Sequence, residues 1–143
     1  MDKSQKQSVL LVEDNAVLLN LMALVLKLDG YSVVAFESAE RALANLRSTS
    51  NGFDGLVTDY HLPGMNGTEL ARHVSELQDN IKVLIVSSDE DCRTWLRGTD
   101  SYLQKPFTNG GLLIAVAELL KSPAPSGERR ENSPDRKRRI KPE

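Results

Sequence analysis

The sequence predicts an α/β fold, with a parallel sheet covered by helices on both faces. Short apolar runs of strand length alternate with longer segments in which apolar residues recur at helical spacing, and this alternation occurs five times. Runs that are apolar throughout are typical of strands buried on both faces. With 143 residues, 40% of them hydrophobic, the chain is long enough for one domain with a core and too short for two ordinary ones.

Three strands are predicted in the first half of the chain. They are residues 9–12, 31–36 and 56–59. A long helix after the first strand has Asp14 or Asn15 as its expected cap and stops before Gly30. Its apolar residues at helical spacing are Leu18, Leu21, Met22, Val25 and Leu28. Ser38 is the expected N-cap of a second helix, whose apolar side consists of Ala39, Ala42, Leu43 and Leu46.

The second half continues the alternation. The predicted strands are residues 81–86 and 100–104. A third helix, after Gly67, is expected to turn Leu70, Val74 and Leu77 inward. A final helix with an apolar stripe follows a turn at residues 109–111.

The charge of the chain is divided unevenly. Residues 1–121 contain 11 Lys and Arg against 16 Asp and Glu, a balance of −5, whereas residues 122–143 contain 7 against 4, a balance of +3. We therefore expect a flexible N-terminus (1–7), one domain (8–121) and a disordered basic tail (122–143). The tail includes RKRRIK at 136–141, and contact of this run with nucleic acid, an acidic partner or the acidic body is the alternative to a solvated end.

Several protein classes are not expected. No apolar run approaches the ~18 residues of a membrane helix, so no membrane insertion is predicted. The polar start of the chain lacks the apolar segment of a secretory signal. The single cysteine, Cys92, is interpreted as an ordinary free thiol, and a cytoplasmic location is expected.

Polar residues follow four of the five predicted strands. They are Glu13 and Asp14, then Asp59, Ser87 and Lys105. In a parallel sheet these positions meet at the carboxyl edge, where α/β proteins bind ligands. Three carboxylates in one cleft repel each other unless a cation offsets them, and oxygen ligands favour Mg²⁺. A lysine and a hydroxyl beside a carboxylate form a site that suits phosphoryl transfer to that carboxylate.

Each of these residues also has a plainer interpretation. Glu13 and Asp14 are suited to capping the first helix, and Asp59 to ending a strand. Lys105 is an ordinary solvated lysine in that interpretation, and Ser87 an inert hydroxyl. The plainer set requires four coincidences at one edge of the sheet, so we favour a binding site.

Four motifs resemble the receiver domain of two-component response regulators. They are VLLVEDN (9–15), LVTDYHLPGMNG (56–67), VLIVSS (83–88) and YLQKPF (102–107). The resemblance covers residues 8–121 and implies a flavodoxin-like fold with strand order 2-1-3-4-5. It implies a switch phosphorylated on Asp59 by a phosphohistidine of a sensor kinase or phosphotransfer protein. No enzymatic activity on a free substrate is implied, only self-directed phosphotransfer and autodephosphorylation.

The resemblance also assigns roles around Asp59. Mg²⁺ is expected on Glu13, Asp14, Asp59 and the backbone carbonyl of His61. Lys105 and Ser87 are expected to contact the phosphoryl group, and the Lys105–Pro106 bond is often cis in such domains. Tyr102 matches the aromatic switch residue, which turns inward when Ser87 moves; a half-buried aromatic residue on an edge strand is the plain alternative.

One departure from the family concerns its fourth helix. The interval from Ser87 to Lys105 is several residues short, and residues 89–98 contain only Trp95 and Leu96 as large apolar side chains. We therefore expect a fourth helix that is short or disordered. We also expect this segment to be mobile before phosphorylation and ordered after it.

Three rival functions are considered. A receiver-like adaptor binds partners without phosphorylation. A Mg²⁺-dependent phosphatase generally needs a second acid near the nucleophile, and the residues after Asp59 offer none. A nucleotide or flavin binder needs a glycine-rich loop after Val12, where Glu13 stands instead. Nucleic acid is not an expected partner of the protein.

Overall fold

A computed structural model describes residues 6–49 and 52–121 of the chain. The predicted basic tail, 122–143, lies outside the described residues, as do residues 1–5 of the predicted flexible N-terminus. The strands are β1 (Ser8–Val12), β2 (Ser32–Phe36), β3 (Gly55–Asp59), β4 (Lys82–Ser87) and β5 (Asp100–Gln104). The helices are α1 (Ala16–Leu28), α2 (Ala39–Ser48), α3 (Gly67–Leu77) and α4 (Asn109–Lys121). A 3-10 segment, Glu90–Trp95, lies between β4 and β5.

The five strands form one parallel sheet with the order β2-β1-β3-β4-β5. The predicted α/β fold and strand order are therefore confirmed. The register aligns the strand ends, since Val12 pairs with Thr58, and Asp59 pairs with Val86. Residues that follow different strands consequently meet at one carboxyl edge of the sheet.

The core has two layers because alternate residues of each strand point to opposite faces. One layer contains Leu10, Leu56 and Ile85, against which α2 and α3 pack. The other layer contains Leu11, Val57 and Leu84, against which α1 and α4 pack. All of these strand side chains have at most 1% of their surface exposed, as expected for a sheet covered on both faces.

The helix starts follow from capping side chains. Asn15 accepts a hydrogen bond from the Leu18 amide at 3.0 Å, so Asn15 and not Asp14 caps α1. Ser38 caps α2 as predicted. At α3, Asn66 and Glu69 form a reciprocal capping box. These local bonds place three helices directly after the loops of the carboxyl edge.

The inward face of α1 agrees in part with the residues named from helical spacing, since Met22 is buried and Leu18 and Val25 pack partly buried against the core. The helix buries Leu19, Met22, Ala23 and Leu26. Leu21 and Leu28, which were expected inside, are 46% and 78% exposed. The helix is so apolar that its spacing fits more than one face, and only packing against the sheet chooses between them. In α3, Leu77 is likewise exposed, because it lies in the last turn beyond the covered part of the sheet.

One further boundary differs from the sequence prediction. The predicted turn at residues 109–111 is the first turn of α4, which begins at Asn109. The short fourth helix expected from the sequence is present as the 3-10 segment, whose N-cap is Asp89 and whose buried anchor is Cys92. With one buried side chain, this segment lacks the apolar stripe that stabilises an α-helix against a sheet. Its ordering on phosphorylation stays a prediction.

Gly67 lets α3 start in contact with the end of β3. A Cβ at this position would lie 2.5 Å from the backbone oxygen of Asp59 and 2.9 Å from the Cα of Tyr60. We predict that Gly67→Ala lowers the free energy of unfolding by about 1–3 kcal/mol, because backbone atoms must move to relieve the overlap.

The matched control is Gly110→Ala, since a Cβ there meets nothing closer than 3.9 Å. It lies in the first turn of α4, and we expect it to change stability by less than about 1 kcal/mol or to increase it. Urea unfolding measures both variants. Equal stability of Gly67→Ala and the wild-type protein would contradict the close packing of α3 on β3.

Candidate functional site

Three carboxylates converge at the carboxyl edge. Asp59 is the last residue of β3, and Glu13 and Asp14 follow β1 directly. One oxygen atom from each lies within 4.8 Å of the other two. Glu13 and Asp59 are 2% and 7% exposed, whereas Asp14 is exposed. The cluster therefore has two buried members and one that borders solvent.

Lys105 supplies the positive charge of this cluster. Its Nζ lies 3.0 Å from Oε1 of Glu13 and 3.5 Å from Oδ1 of Asp59. Its backbone amide donates to the carbonyl of Ser87 at 2.9 Å, which fixes the end of β5 against the end of β4. The Lys105–Pro106 peptide bond is cis. The lysine predicted from its position after β5 thus lies beside both buried carboxylates.

The second oxygen of Glu13 is also engaged. Oε2 accepts a hydrogen bond from the amide of Asn15 at 3.0 Å, and the Glu13 amide donates to the carbonyl of Phe36 at 3.1 Å. Glu13 is therefore held by the first turn of α1 and by the end of β2. This arrangement orients its carboxylate toward Asp59 without exposing it to water.

Burial raises the pKa of Asp59 above its ordinary value, and the charge of Glu13 raises the pKa further. Lys105 lowers it in part, by its charge and by a hydrogen bond, and Asp14 adds a smaller increase. The carboxylate form of Asp59 is therefore destabilised when no further cation is present. A bound divalent cation would remove this penalty.

The donor set fits Mg²⁺. The three clustered ligand groups are all carboxylates, and Mg²⁺ is usually held by one or two carboxylates while it keeps several water ligands. Asp14 borders solvent, which leaves room for such water. His61, whose backbone carbonyl was expected to complete the set, lies two residues after Asp59 on the exposed loop toward α3. The cluster is thus consistent with the predicted magnesium site.

Ser87 ends β4 at the same edge and is fully buried. Its Oγ accepts a hydrogen bond from the amide of Asp89 at 3.0 Å. The hydroxyl is therefore tied to the start of the 3-10 segment. Ser87 and this segment are therefore in direct contact through one hydrogen bond.

Tyr102 is half-buried and points toward the same backbone. Its hydroxyl donates to the carbonyl of Ser87 at 3.0 Å and contacts the carbonyl of Asp89 at 3.3 Å. The guanidinium of Arg93 lies 5.0 Å from its ring centre. The half-buried position agrees with an ordinary aromatic residue on an edge strand. The switch role couples Tyr102 to Ser87, and the hydrogen bond to the Ser87 carbonyl joins these two residues directly.

Asp89 is a residue that the sequence analysis did not single out. Its amide binds the hydroxyl of Ser87, its carbonyl accepts from Tyr102, and its carboxylate lies 3.5 Å from Nε2 of His61. It therefore joins the loop after β3 to the loop after β4. Its place just after a strand, like that of Glu13, was a sequence signal that could have indicated it.

A groove of about 370 Å³ borders Lys105 between α1 and α4. Its apolar lining consists of Leu18, Leu21, Met22, Pro106, Phe107 and Leu112. The groove continues onto the outward side of α1, where four large apolar residues are exposed: Val17, Leu21, Leu24 and Leu28. An apolar surface that adjoins a charged site is typical of protein contact sites.

Comparison with known protein families shows to which family the chain belongs. The family model of the response regulator receiver domain matches residues 9–117. The chain belongs to this family. Its members are the signalling switches of two-component systems, and the acidic cluster is consistent with the Mg²⁺ site typical of receiver domains.

Curated relatives support the same membership. The putative two-component response regulator ARR21 of Arabidopsis thaliana is 36% identical over 84 residues, which are 59% of this chain and 14% of that protein. The transcriptional regulatory protein ResD of Bacillus subtilis is 24% identical over 137 residues, 94% of this chain and 56% of that protein. The chain therefore spans about a seventh of the plant relative and about half of the bacterial one.

Solved structures agree with the fold. A response regulator receiver protein from Sinorhizobium medicae superimposes with a TM-score of 0.75 at 28% identity, covering 84% of this chain and 98% of that one. A receiver domain protein from Clostridium thermocellum gives a TM-score of 0.72 at 22% identity, which supports the fold alone. Among residues 6–49 and 52–121, no helix has the length and apolar character needed to cross a bilayer.

The raised pKa of Asp59 predicts how stability depends on pH. Because the folded-state pKa lies above the unfolded one, stability is full below the unfolded pKa and is lost as pH rises through the folded pKa. In metal-free buffer at pH 7, Asp59→Asn should therefore unfold with a free energy higher by on the order of 1 kcal/mol. This advantage should disappear at acidic pH, where the aspartate is protonated.

Urea unfolding in a chelating buffer measures this difference, and added Mg²⁺ should stabilise the wild-type protein more than the variant. Asp79→Asn is the control, because Asp79 is exposed and precedes β4 at the opposite edge of the sheet. We expect no pH-dependent gain from it. A loss of stability in Asp59→Asn at pH 7 would contradict the electrostatic description of the site.

Proposed function

We propose that the protein is a phosphoacceptor switch in which Asp59 receives a phosphoryl group from a phosphohistidine of a sensor kinase or phosphotransfer protein. The observation that carries this proposal is Lys105, whose Nζ reaches both buried carboxylates, 3.5 Å from Asp59 and 3.0 Å from Glu13. An ammonium group in this position can neutralise charge on a phosphoryl group attached to Asp59. Family membership supports the same function.

The reaction is a transfer between two nucleophiles. An oxygen of Asp59 attacks phosphorus as the P–N bond to the donor imidazole breaks, and the imidazole leaves with the electron pair. Lys105 lowers the pKa of Asp59 and thereby favours the reactive carboxylate form. After the transfer, its ammonium group faces the phosphoryl oxygens. Bound Mg²⁺ on Glu13, Asp14, Asp59 and the His61 carbonyl would supply charge neutralisation for the same oxygens.

The response to phosphorylation is assigned to Ser87 and Tyr102. We propose that the Ser87 hydroxyl turns to the phosphoryl group and gives up its hydrogen bond from the Asp89 amide, now 3.0 Å long. Tyr102 binds the carbonyls of Ser87 and Asp89, so its ring would follow this change. His61, whose side chain is exposed beside Asp59, would influence how water reaches the phosphoryl group.

The output of this switch is an altered affinity for a partner protein and not turnover of a free substrate. The domain that carries it is proposed to be residues 8–121, in agreement with the family match at 9–117. A single cysteine agrees with the proposed cytoplasmic location.

Incubation with Mg²⁺ and acetyl phosphate tests the acceptor. We predict a mass increase of one phosphoryl group in the wild-type protein and none in Asp59→Asn, since the nucleophile is removed. Lys105→Ala should lower the phosphorylation rate by about 10²-fold or more, because charge stabilisation is lost. If the wild-type protein stays unmodified but still binds its partner protein, the result would instead support the phosphorylation-independent adaptor.

The exposed row of α1 is the proposed docking face for the phosphodonor. It adjoins the groove that borders Lys105, so a protein seated there would present a phosphohistidine to Asp59. We predict that Leu24→Lys slows transfer from a phosphotransfer protein while transfer from acetyl phosphate is unchanged, because only the former needs the docking face.

Ile114→Lys serves as the control, since Ile114 is a similarly exposed apolar residue (61%) that lies on α4 and not on α1. Transfer rates from both donors should be unchanged in this variant. Equal slowing of both donors by Leu24→Lys would show that the substitution damages the fold instead of the docking face.

A further inference from the structure

The loops of the carboxyl edge are strongly acidic beyond what the phosphoacceptor site uses. Among the described residues, eight carboxylates end a strand or lie within four residues after one: Glu13, Asp14, Glu37, Glu40, Asp59, Asp89, Glu90 and Asp91. Lys105 is the one lysine or arginine in these same positions. Five of these acids lie outside the metal cluster, and three of the five, 89–91, are consecutive. Their charge is therefore not explained by the site already described.

An exposed aromatic surface adjoins these three acids. Trp95 is 49% exposed, and its ring centre lies 5.3 Å from that of Tyr60, the residue after Asp59. We name Tyr60, Trp95 and the acidic residues 89–91 the aromatic edge patch. The patch exists because the 3-10 segment is short: Trp95 lies against Tyr60 at the edge instead of inside a longer helix.

This combination of groups suits an arginine-rich segment. Guanidinium groups stack on tryptophan and tyrosine faces and pair with carboxylates at the same time. The same part of the molecule already holds one arginine in this way, since the Arg93 guanidinium lies 5.0 Å from the ring centre of Tyr102. The chemistry of the patch thus specifies a basic occupant.

The chain contains such an occupant. Residues 136–141 read RKRRIK and carry five positive charges, and the chain after residue 121 is basic while the part before it is acidic. Helix α4 ends at Lys121 near the opposite edge, because the Lys82 ammonium at the start of β4 donates to the carbonyl of Leu120. The basic run must therefore cross from one edge to the other.

The intervening chain is long enough for this crossing. The six residues of β4 separate the two edges by about 20 Å at ~3.3 Å per residue. Fourteen residues, 122–135, can extend to about 50 Å. Attachment to the same chain also supplies an effective concentration on the order of millimolar, which favours even a weak contact.

We propose that residues 136–141 dock on the aromatic edge patch of their own chain. The docked segment covers Trp95 and neutralises the acids at 89–91. It thereby competes with any partner that approaches the 3-10 segment beside Asp59. This contact does not depend on phosphorylation and is separate from the proposed function.

Trp95 reports the contact directly because it is the only tryptophan of the chain. The probe is acrylamide quenching of the full-length protein at low salt, compared with a variant in which Arg136, Arg138 and Arg139 are changed to Ser. We expect quenching to rise roughly two-fold in the variant, since the half-exposed ring loses its cover. At about 0.5 M NaCl the two proteins should become equal, because salt screens the contact.

Two further variants make the test specific. Arg129→Ser with Arg130→Ser removes positive charge from the same tail outside the segment and should leave quenching unchanged. Glu90→Gln with Asp91→Asn should raise quenching as much as the tail variant does, and combining the two sets should add nothing further. Additive effects would overturn the pairing.

Other results would also overturn the proposal. Equal quenching of the wild-type protein and the tail variant at low salt would show that Trp95 is not covered. A difference that grows with protein concentration would assign the contact to a second copy. Binding of a duplex DNA oligonucleotide through 136–141, with unchanged Trp95 quenching, would make nucleic acid the partner of this segment.

Discussion

The structure depends on the repulsion between carboxylates that the parallel sheet forces together. The register of β1 and β3 brings Glu13 and Asp59 into a buried position at one edge, and Asp14 adds a third charge beside them. Lys105 offsets part of this repulsion from the end of β5. Burial and the remaining charge imbalance together raise the pKa of Asp59. The raised pKa makes the site receptive to a cation and couples metal binding to the ionisation of Asp59.

The connection between β4 and β5 is short, so few residues link the site to the surface of the domain. Asp89 binds Ser87 through its amide, Tyr102 through its carbonyl and His61 through its carboxylate. A single residue therefore joins two edge loops and the edge strand. The 3-10 segment leaves Trp95 exposed against Tyr60, so the surface next to Asp59 is aromatic and acidic. A change at the site reaches this surface through few bonds.

Much of this arrangement could be predicted from sequence because it is local or follows from strand order. The apolar runs indicated the strands, and the polar residues after them indicated the site around Asp59 and Lys105. The outward row of α1 was not predicted, since a helix that is apolar on every side does not reveal which side meets the sheet. The role of Asp89 depends on its contacts with Tyr102 and His61, which are distant from it in sequence.

An NMR titration with Mg²⁺ and then beryllofluoride tests the central claim most directly. Mg²⁺ should first shift the amide signals of residues 13–15 and 59–61, where the clustered oxygens lie. Beryllofluoride, which mimics the phosphoryl group, should then shift those of Ser87, Asp89, Tyr102 and Lys105, and Asp59→Asn should abolish this second set. Shifts scattered over the protein, or a second set that persists in Asp59→Asn, would contradict a single pocket in which three acids and one lysine accept a phosphoryl group.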